Sequence, residues 1–241
     1  MRILGIDTAA TFASVAIVEN DLLVAQRCYP EKGSGQAKSN HAEVILPLLG
    51  RVLDEAGVAA ADIDRIAVSI GPGSFTGVRI GLSTAKGFAF GCGIPVVGIS
   101  TLMAYATAVS GFECVCPLLD ARKKEVYAAL FRCEAGKIQR LTEDLVAPVA
   151  GIVQQIAQRG ASTCALIGSG AQLYGRAIQD ELGAHIALVE EPADFTVAAA
   201  VARLASGAGD TDTLNIAELI PAYVRSSEAE SKRPSAANLS N

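Results

Sequence analysis

The chain has 241 residues, 51% of them hydrophobic and 19% charged, with a mean hydropathy of +0.36, which excludes general disorder and places it between one domain and two. A net charge of −5 excludes a stand-alone nucleic-acid binder working through a broad basic surface; the only compact basic run is Arg122-Lys123-Lys124. Six cysteines, scattered and never at CxxC spacing, exclude a disulfide scaffold and read as reduced thiols of a cytoplasmic protein.

The N-terminus carries one charge, Arg2, before an apolar run that Asp7 ends, too short for a secretion-signal core. Ile3–Asp7 and Phe12–Glu19 read as strands, and the Asn20-Asp21 turn leads into a third, Leu22–Tyr29. A polar loop with Gly33, Ser34 and Gly35 precedes a helix over His41–Ala56, which a capping box of Asn40 and Glu43 starts. Then come a buried strand (Arg65–Ile70), a glycine-rich turn (Gly71–Gly77) and a helix to about Gly91. Gly87 to Phe112 is free of charge and long enough to span a bilayer. Gly91, Gly93, Pro95 and Gly98 punctuate it, so Pro95–Ile99 reads as a short buried strand between helices and no membrane span is expected.

The second half restates this order. Val115–Asp120 is a strand ending in Asp, Glu125–Cys133 its hairpin partner, and Ala150–Arg159 a helix. The strand Cys164–Ile167 meets Gly168-Ser169-Gly170 and another helix. Asp7 thus matches Asp120, and Gly71-Pro72-Gly73 matches Gly168-Ser169-Gly170, which predicts two related α/β halves with a cleft between them. A last helix, Val197–Ser206, leads back to the first half, and a polar tail follows from about Ser226.

Few residues carry chemistry. The glycine-rich turn either presents N–H groups to a phosphate or permits tight helix packing; it is neither a Walker A loop nor a GxGxxG fingerprint. Asp7 either holds a metal or water at a strand end or caps its own turn. The two histidines, His41 and His185, form no metal motif, and Ser74 lacks a base. Gly77, Gly81, Ala85 and Ala89 recur every four residues, as do Ser83, Gly87 and Gly91, leaving helix faces bare enough for another backbone. In the preceding helix Val44, Ile45, Leu46, Leu48, Leu49, Val52, Leu53 and Ala56 span about 200°, more than one core face needs. That helix is either sandwiched inside or half covered by a partner, and Pro47 is either tolerated or a kink.

The opening Ile3-Leu4-Gly5-Ile6-Asp7-Thr8, the run Gly71 to Gly91, Asp120-Ala121-Arg122 with Glu125-Val126-Tyr127, and Pro221-Ala222-Tyr223-Val224-Arg225 resemble the TsaB (YeaZ) family of tRNA threonylcarbamoyladenosine biosynthesis. The resemblance implies an α/β, actin/Hsp70 ATPase-like fold of two ribonuclease-H-like lobes: residues 1–101 with about 196–225, then 102–195, with 226–241 as tail. It implies a cytoplasmic support subunit that binds the catalytic paralogue TsaD as a heterodimer, meets TsaE in the larger assembly and touches tRNA mainly through the complex. Thr101 and Tyr105 stand where the paralogue's metal-binding histidines are expected, so no catalytic residue and no metal are expected here. The implied partner surface comprises His41, Val44, Ile45, Leu48, Leu49 and Val52 with Phe75, Val78, Gly81, Leu82 and Ala85. Homodimerisation through the same surface is the alternative when the chain is alone, and an arginine at Gly81 or Ala85 is expected to block the approach. No cofactor is expected, ATP only at a junction of the complex; Asp7, Gly71, Gly73, Gly168 and Gly170 are the weak candidates. The alternative function is a stand-alone ATPase or phosphotransferase of the same fold.

Overall fold

The computed structural model describes residues 1–31, 40–134, 137–207 and 216–224; the loop glycines Gly33 and Gly35, Arg225 and the expected tail lie outside the described residues. The apolar runs form β1 (Arg2–Asp7), β2 (Ala13–Glu19) and β3 (Leu22–Tyr29), an antiparallel meander. Asn20 and Asp21 close its first hairpin with positive φ at both residues, the turn whose twist matches that of paired strands. α1 (His41–Ala56) follows, then β4 (Arg65–Gly71), α2 (Phe75–Cys92), β5 (Val96–Ser100) and α3 (Thr101–Ala106). β4 pairs parallel to β1 and β5 parallel to β4, giving the order β3-β2-β1-β4-β5.

The remaining chain repeats that plan. β6 (Cys114–Asp120), β7 (Glu125–Ala128), β8 (Phe131–Glu134), β9 (Lys137–Arg140) and β10 (Leu145–Pro148) lead into α4 (Val149–Arg159). β11 (Cys164–Ile167), α5 (Ser169–Leu182), β12 (Ile186–Leu188) and α6 (Val197–Ser206) complete it. The second sheet runs β10-β7-β6-β11-β12, with β6–β7 antiparallel and β6–β11–β12 parallel, the same order and directions as the first. Two ribonuclease-H-like sheets flanked by helices make the actin/Hsp70 ATPase-like fold, and Asp7 and Asp120 end equivalent strands. α6 returns to pack on β1, β2 and β4, so its alanines join the core of the first sheet.

Local differences from the sequence reading have local causes. The expected single hairpin partner Glu125–Cys133 is two strands. The flanking registers, Leu118↔Ala128 and Val115↔Phe131, set Pro117 opposite Ala129, where it has no N–H for the ladder. Leu130 turns its backbone to β9 instead, accepting from Leu141 N–H at 2.8 Å. Asn40 caps α1 through Ala42 N–H, and the Glu43 carboxylate accepts from the Asn40 side-chain amide rather than from its backbone N–H. Pro47 lies inside α1 and the helix continues to Gly57, whose left-handed φ of 63° closes it. Among the described residues no helix is long and apolar enough to cross a membrane.

Candidate functional site

The two sheets leave between them a cleft of about 760 Å³, lined by residues of both lobes. α1, α2 and α5 all begin on it, with His41, Ser74 and Thr76 on one wall and Asp120, Arg122 and Gln172 on the other.

Asp7 stands behind the cleft rather than in it. Its carboxylate is fully buried; Oδ1 accepts the Ala9 N–H at 3.0 Å and the Ser69 hydroxyl, and Oδ2 accepts the Ala10 N–H at 3.4 Å. Burial raises its pKa from 3.8 to about 6, against the opposing pull of Ser69, the two amides and His41. Of the two roles open to it, the geometry is that of a cap on its own turn.

The glycine-rich turn owes its glycines to packing. Cβ atoms at Gly73 and Gly77 would overlap the carbonyl oxygens of Ala9 and Thr8. Ser74 N–H donates to Ala9 O at 2.8 Å, Gly77 N–H to Ser74 Oγ at 3.2 Å, and Thr8 Oγ1 to Gly77 O at 2.6 Å. The turn after β1 therefore lies directly against the start of α2, and the amides of Ser74 and Gly77 are engaged within the chain. Gly71 (φ 105°) faces Ala222 O at 3.3 Å from a built Cβ. In the second lobe, Cβ atoms at Gly168 and Gly170 would stand 2.7 and 3.0 Å from Leu118 O. All four candidate glycines thus face neighbouring backbone.

On the other wall, Asp120 Oδ1 accepts the Arg122 N–H at 2.9 Å, and the Asp120 N–H donates to Ser169 Oγ at 3.1 Å. Arg122, Lys123 and Lys124 all take left-handed backbone, with φ of 65°, 55° and 62°. On α3, Thr101 Oγ1 is buried without a hydrogen-bond partner, and the buried Tyr105 hydroxyl bonds Glu191, its pKa pushed up mainly by burial. A lone hydroxyl and a held phenol are a poor ligand set for a divalent cation. Among the described residues, no three His, Cys, Asp or Glu side chains are grouped to hold one.

The expected partner surface needs correction residue by residue. Ile45, Leu48, Leu49 and Val52 of α1, and Val78, Gly81, Leu82 and Ala85 of α2, are buried inside this chain. A Cβ at Gly81 would stand 2.6 Å from Thr8 Oγ1, so the run Gly77-Gly81-Ala85-Ala89 serves the approach of α2 to its own sheet. His41 is half-buried on the cleft, its Nδ1 3.1 Å from Thr8 O, and Val44 is half-buried beside it. Phe75 stacks on Tyr223 at 4.9 Å between ring centres. The second run of small residues, Ser83, Gly87 and Gly91, is the exposed one, and Cβ atoms at Gly87 or Gly91 would meet nothing within 4 Å. With it stand Phe90, 82% exposed, and Leu46, 63% exposed.

Comparison with known proteins agrees with this layout. The family model for TsaD, tRNA N6-adenosine threonylcarbamoyltransferase, matches residues 27–233. The tRNA threonylcarbamoyladenosine biosynthesis protein TsaB of Escherichia coli is 32% identical over 97% of this chain and 99% of its own length. The Bacillus subtilis protein of the same name is 28% identical over 96% and 97%. The structure of YeaZ from Pseudomonas aeruginosa superposes with a TM-score of 0.70 at 26% identity, covering 92% of this chain and 99% of that one. Near-complete coverage in both directions, with the duplicated sheet order, places the chain in the TsaB (YeaZ) family of tRNA threonylcarbamoyladenosine biosynthesis proteins.

Proposed function

We propose that this chain is a non-catalytic scaffold subunit of the tRNA threonylcarbamoyl-transfer machinery, which binds and supports the catalytic paralogue TsaD. The observation that carries the reading is the outward face of α1 and α2. On α2, Phe90 stands in water with a stripe of Ser83, Gly87 and Gly91 that leaves room for a second backbone, and on α1 Leu46 is exposed as well. The sealed position of Asp7, whose carboxylate is spent on its own turn, supports a chain that kept the fold without using that carboxylate for chemistry. TsaE joins the larger assembly, the chain works in the cytoplasm, and alone it pairs with a second copy through the same helices.

The test is size-exclusion chromatography with light scattering on this chain, its cognate TsaD and their mixture. A mixed complex is expected, and Gly87→Arg is expected to abolish it while remaining folded, because its side chain leaves the helix into open space. A complex indifferent to Gly87→Arg overturns the surface; transfer of the threonylcarbamoyl group by the purified chain alone overturns the non-catalytic role. The open cleft favours a second reading, a nucleotide-binding ATPase of the same fold. Absence of calorimetric heat with millimolar ATP would leave that reading without support.

A further inference from the structure

The cleft wall of the second lobe carries a feature that the scaffold role does not use. In a chain of net charge −5, its one compact basic run is lifted into solvent on a turn between β6 and β7. Three consecutive non-glycine residues in left-handed backbone are sterically costly. Here the turn is held by Ala121 N–H to Glu125 O (3.0 Å), Glu125 N–H to Arg122 O (3.0 Å) and the Asp120 carboxylate on Arg122 N–H. The result fans Arg122, Lys123 and Lys124 outward, all exposed, with Arg122 at the lip of the cleft.

Aromatic rings continue the surface from that turn. Tyr127, half-buried on β7, lines both the cleft and a small adjoining recess whose far side is Phe75 and Tyr223. The Arg79 guanidinium lies 3.9 Å from the centre of the Phe75 ring and donates to Tyr223 Oη at 2.7 Å. From end to end the strip reads cation, aromatic, aromatic, cation. Among the described residues of the strip, the acids are Asp120, which faces Arg122 at 3.5 Å, and the half-buried Glu125.

We propose that this strip is a direct RNA contact: Arg122 to Lys124 and Arg79 on phosphates, with the exposed Tyr223, whose ring already stacks on Phe75, extending that stack to an unpaired base. The inference rests on the reading of this chain as part of a tRNA-modifying assembly. Interleaved rings and cations suit a single-stranded segment better than a duplex, which needs a broader basic surface, and better than an acidic peptide, which gains nothing from the rings. The small number of cations makes the contact auxiliary and steeply salt-dependent.

The test is fluorescence anisotropy with a labelled single-stranded RNA oligomer and the full chain, at low and moderate salt. Wild type is expected to bind at low salt, with a log–log salt slope of about −2 to −3 for three to four phosphates. The triple variant Arg122→Asn, Lys123→Asn and Lys124→Asn removes the charge with a residue that tolerates left-handed φ, so the turn is kept. It is expected to weaken binding by about tenfold or more and to flatten the slope by about two, and Arg79→Gln to flatten it by about one. No binding by wild type at about 100 μM chain in low salt, or equal binding by the triple variant, overturns the proposal. Displacement of the RNA by ATP or by polyglutamate at equal charge overturns it in favour of a nucleotide or an acidic protein. If only this inference fails, both proteins still co-elute with TsaD; if only the scaffold reading fails, RNA binding persists without co-elution.

Discussion

Asp7 illustrates how burial sets the behaviour of a single side chain. Its carboxyl is protonated more readily in the folded chain, at about pH 6, than at its ordinary 3.8, so the fold binds the proton more tightly than the unfolded chain does. The stability this contributes is complete below about pH 4 and lost as pH rises through 6, a swing of about 3 kcal/mol. Asp7→Asn cannot ionise, so the difference between its urea-unfolding free energies at pH 4 and pH 7 is expected to be smaller than that of wild type by about this amount. Equal pH dependence in the two proteins would contradict the burial. The sequence displayed Asp7 but left its role open, because only the fold brings Ser69 and the Ala9 and Ala10 amides onto it.

At the scale of elements, α2 shows what sequence periodicity conveys and what it leaves undecided. Two runs of small residues, four apart, mark two faces of the helix, and either could have met the sheet. The Thr8 side chain and the backbone of the turn after β1 select Gly77 and Gly81 for the inside, leaving Gly87 and Gly91 outside. Gly77→Ala is therefore expected to destabilise by several kcal/mol, about 3 or more, because its methyl would overlap backbone that cannot yield. Chemical denaturation against Gly87→Ala, expected to be neutral or slightly stabilising, checks the contrast. The strands fared differently: strongly apolar runs such as Ile3–Asp7 and Cys164–Ile167 were legible from composition alone. The short strands β9, β10 and β12 escaped because their registers are fixed by neighbours rather than by their own pattern.

In the whole molecule the duplication was readable from two aspartates and two Gly-x-Gly turns, since each lobe needs the same strand end and the same close helix start. What joins the lobes was not readable, because the core they share gathers residues far apart in the chain, Ile3 and Ala67 of the first sheet with Val115 and Ile167 of the second around α3 and α6, and polar contacts across the seam add to it. Asp144, before β10, accepts the hydroxyl of Ser100 at the end of β5 at 2.8 Å and also pairs with Arg140, whose guanidinium lies 4.9 Å from the Phe131 ring centre. Asp144→Ala leaves Ser100 and Arg140 without that partner in a largely buried setting, and is expected to lower the unfolding free energy by about 1–3 kcal/mol. A thermal scan showing no change would mean that the lobes are held chiefly by α6.

The fit of α2 against the turn after β1 has a mechanical consequence. Its 18 residues make a stiff rod about 27 Å long. One end carries Phe90, and the other is the lip of the cleft at Phe75 and Thr76, wedged on carbonyl oxygens with no slack. A rod seated this firmly resists tilting: a tilt of about 5° would displace one end against the other by about 2 Å, and the carbonyls of Thr8 and Ala9 leave no room for it. The wall that α2 gives to the cleft is therefore held in place by the turn after β1.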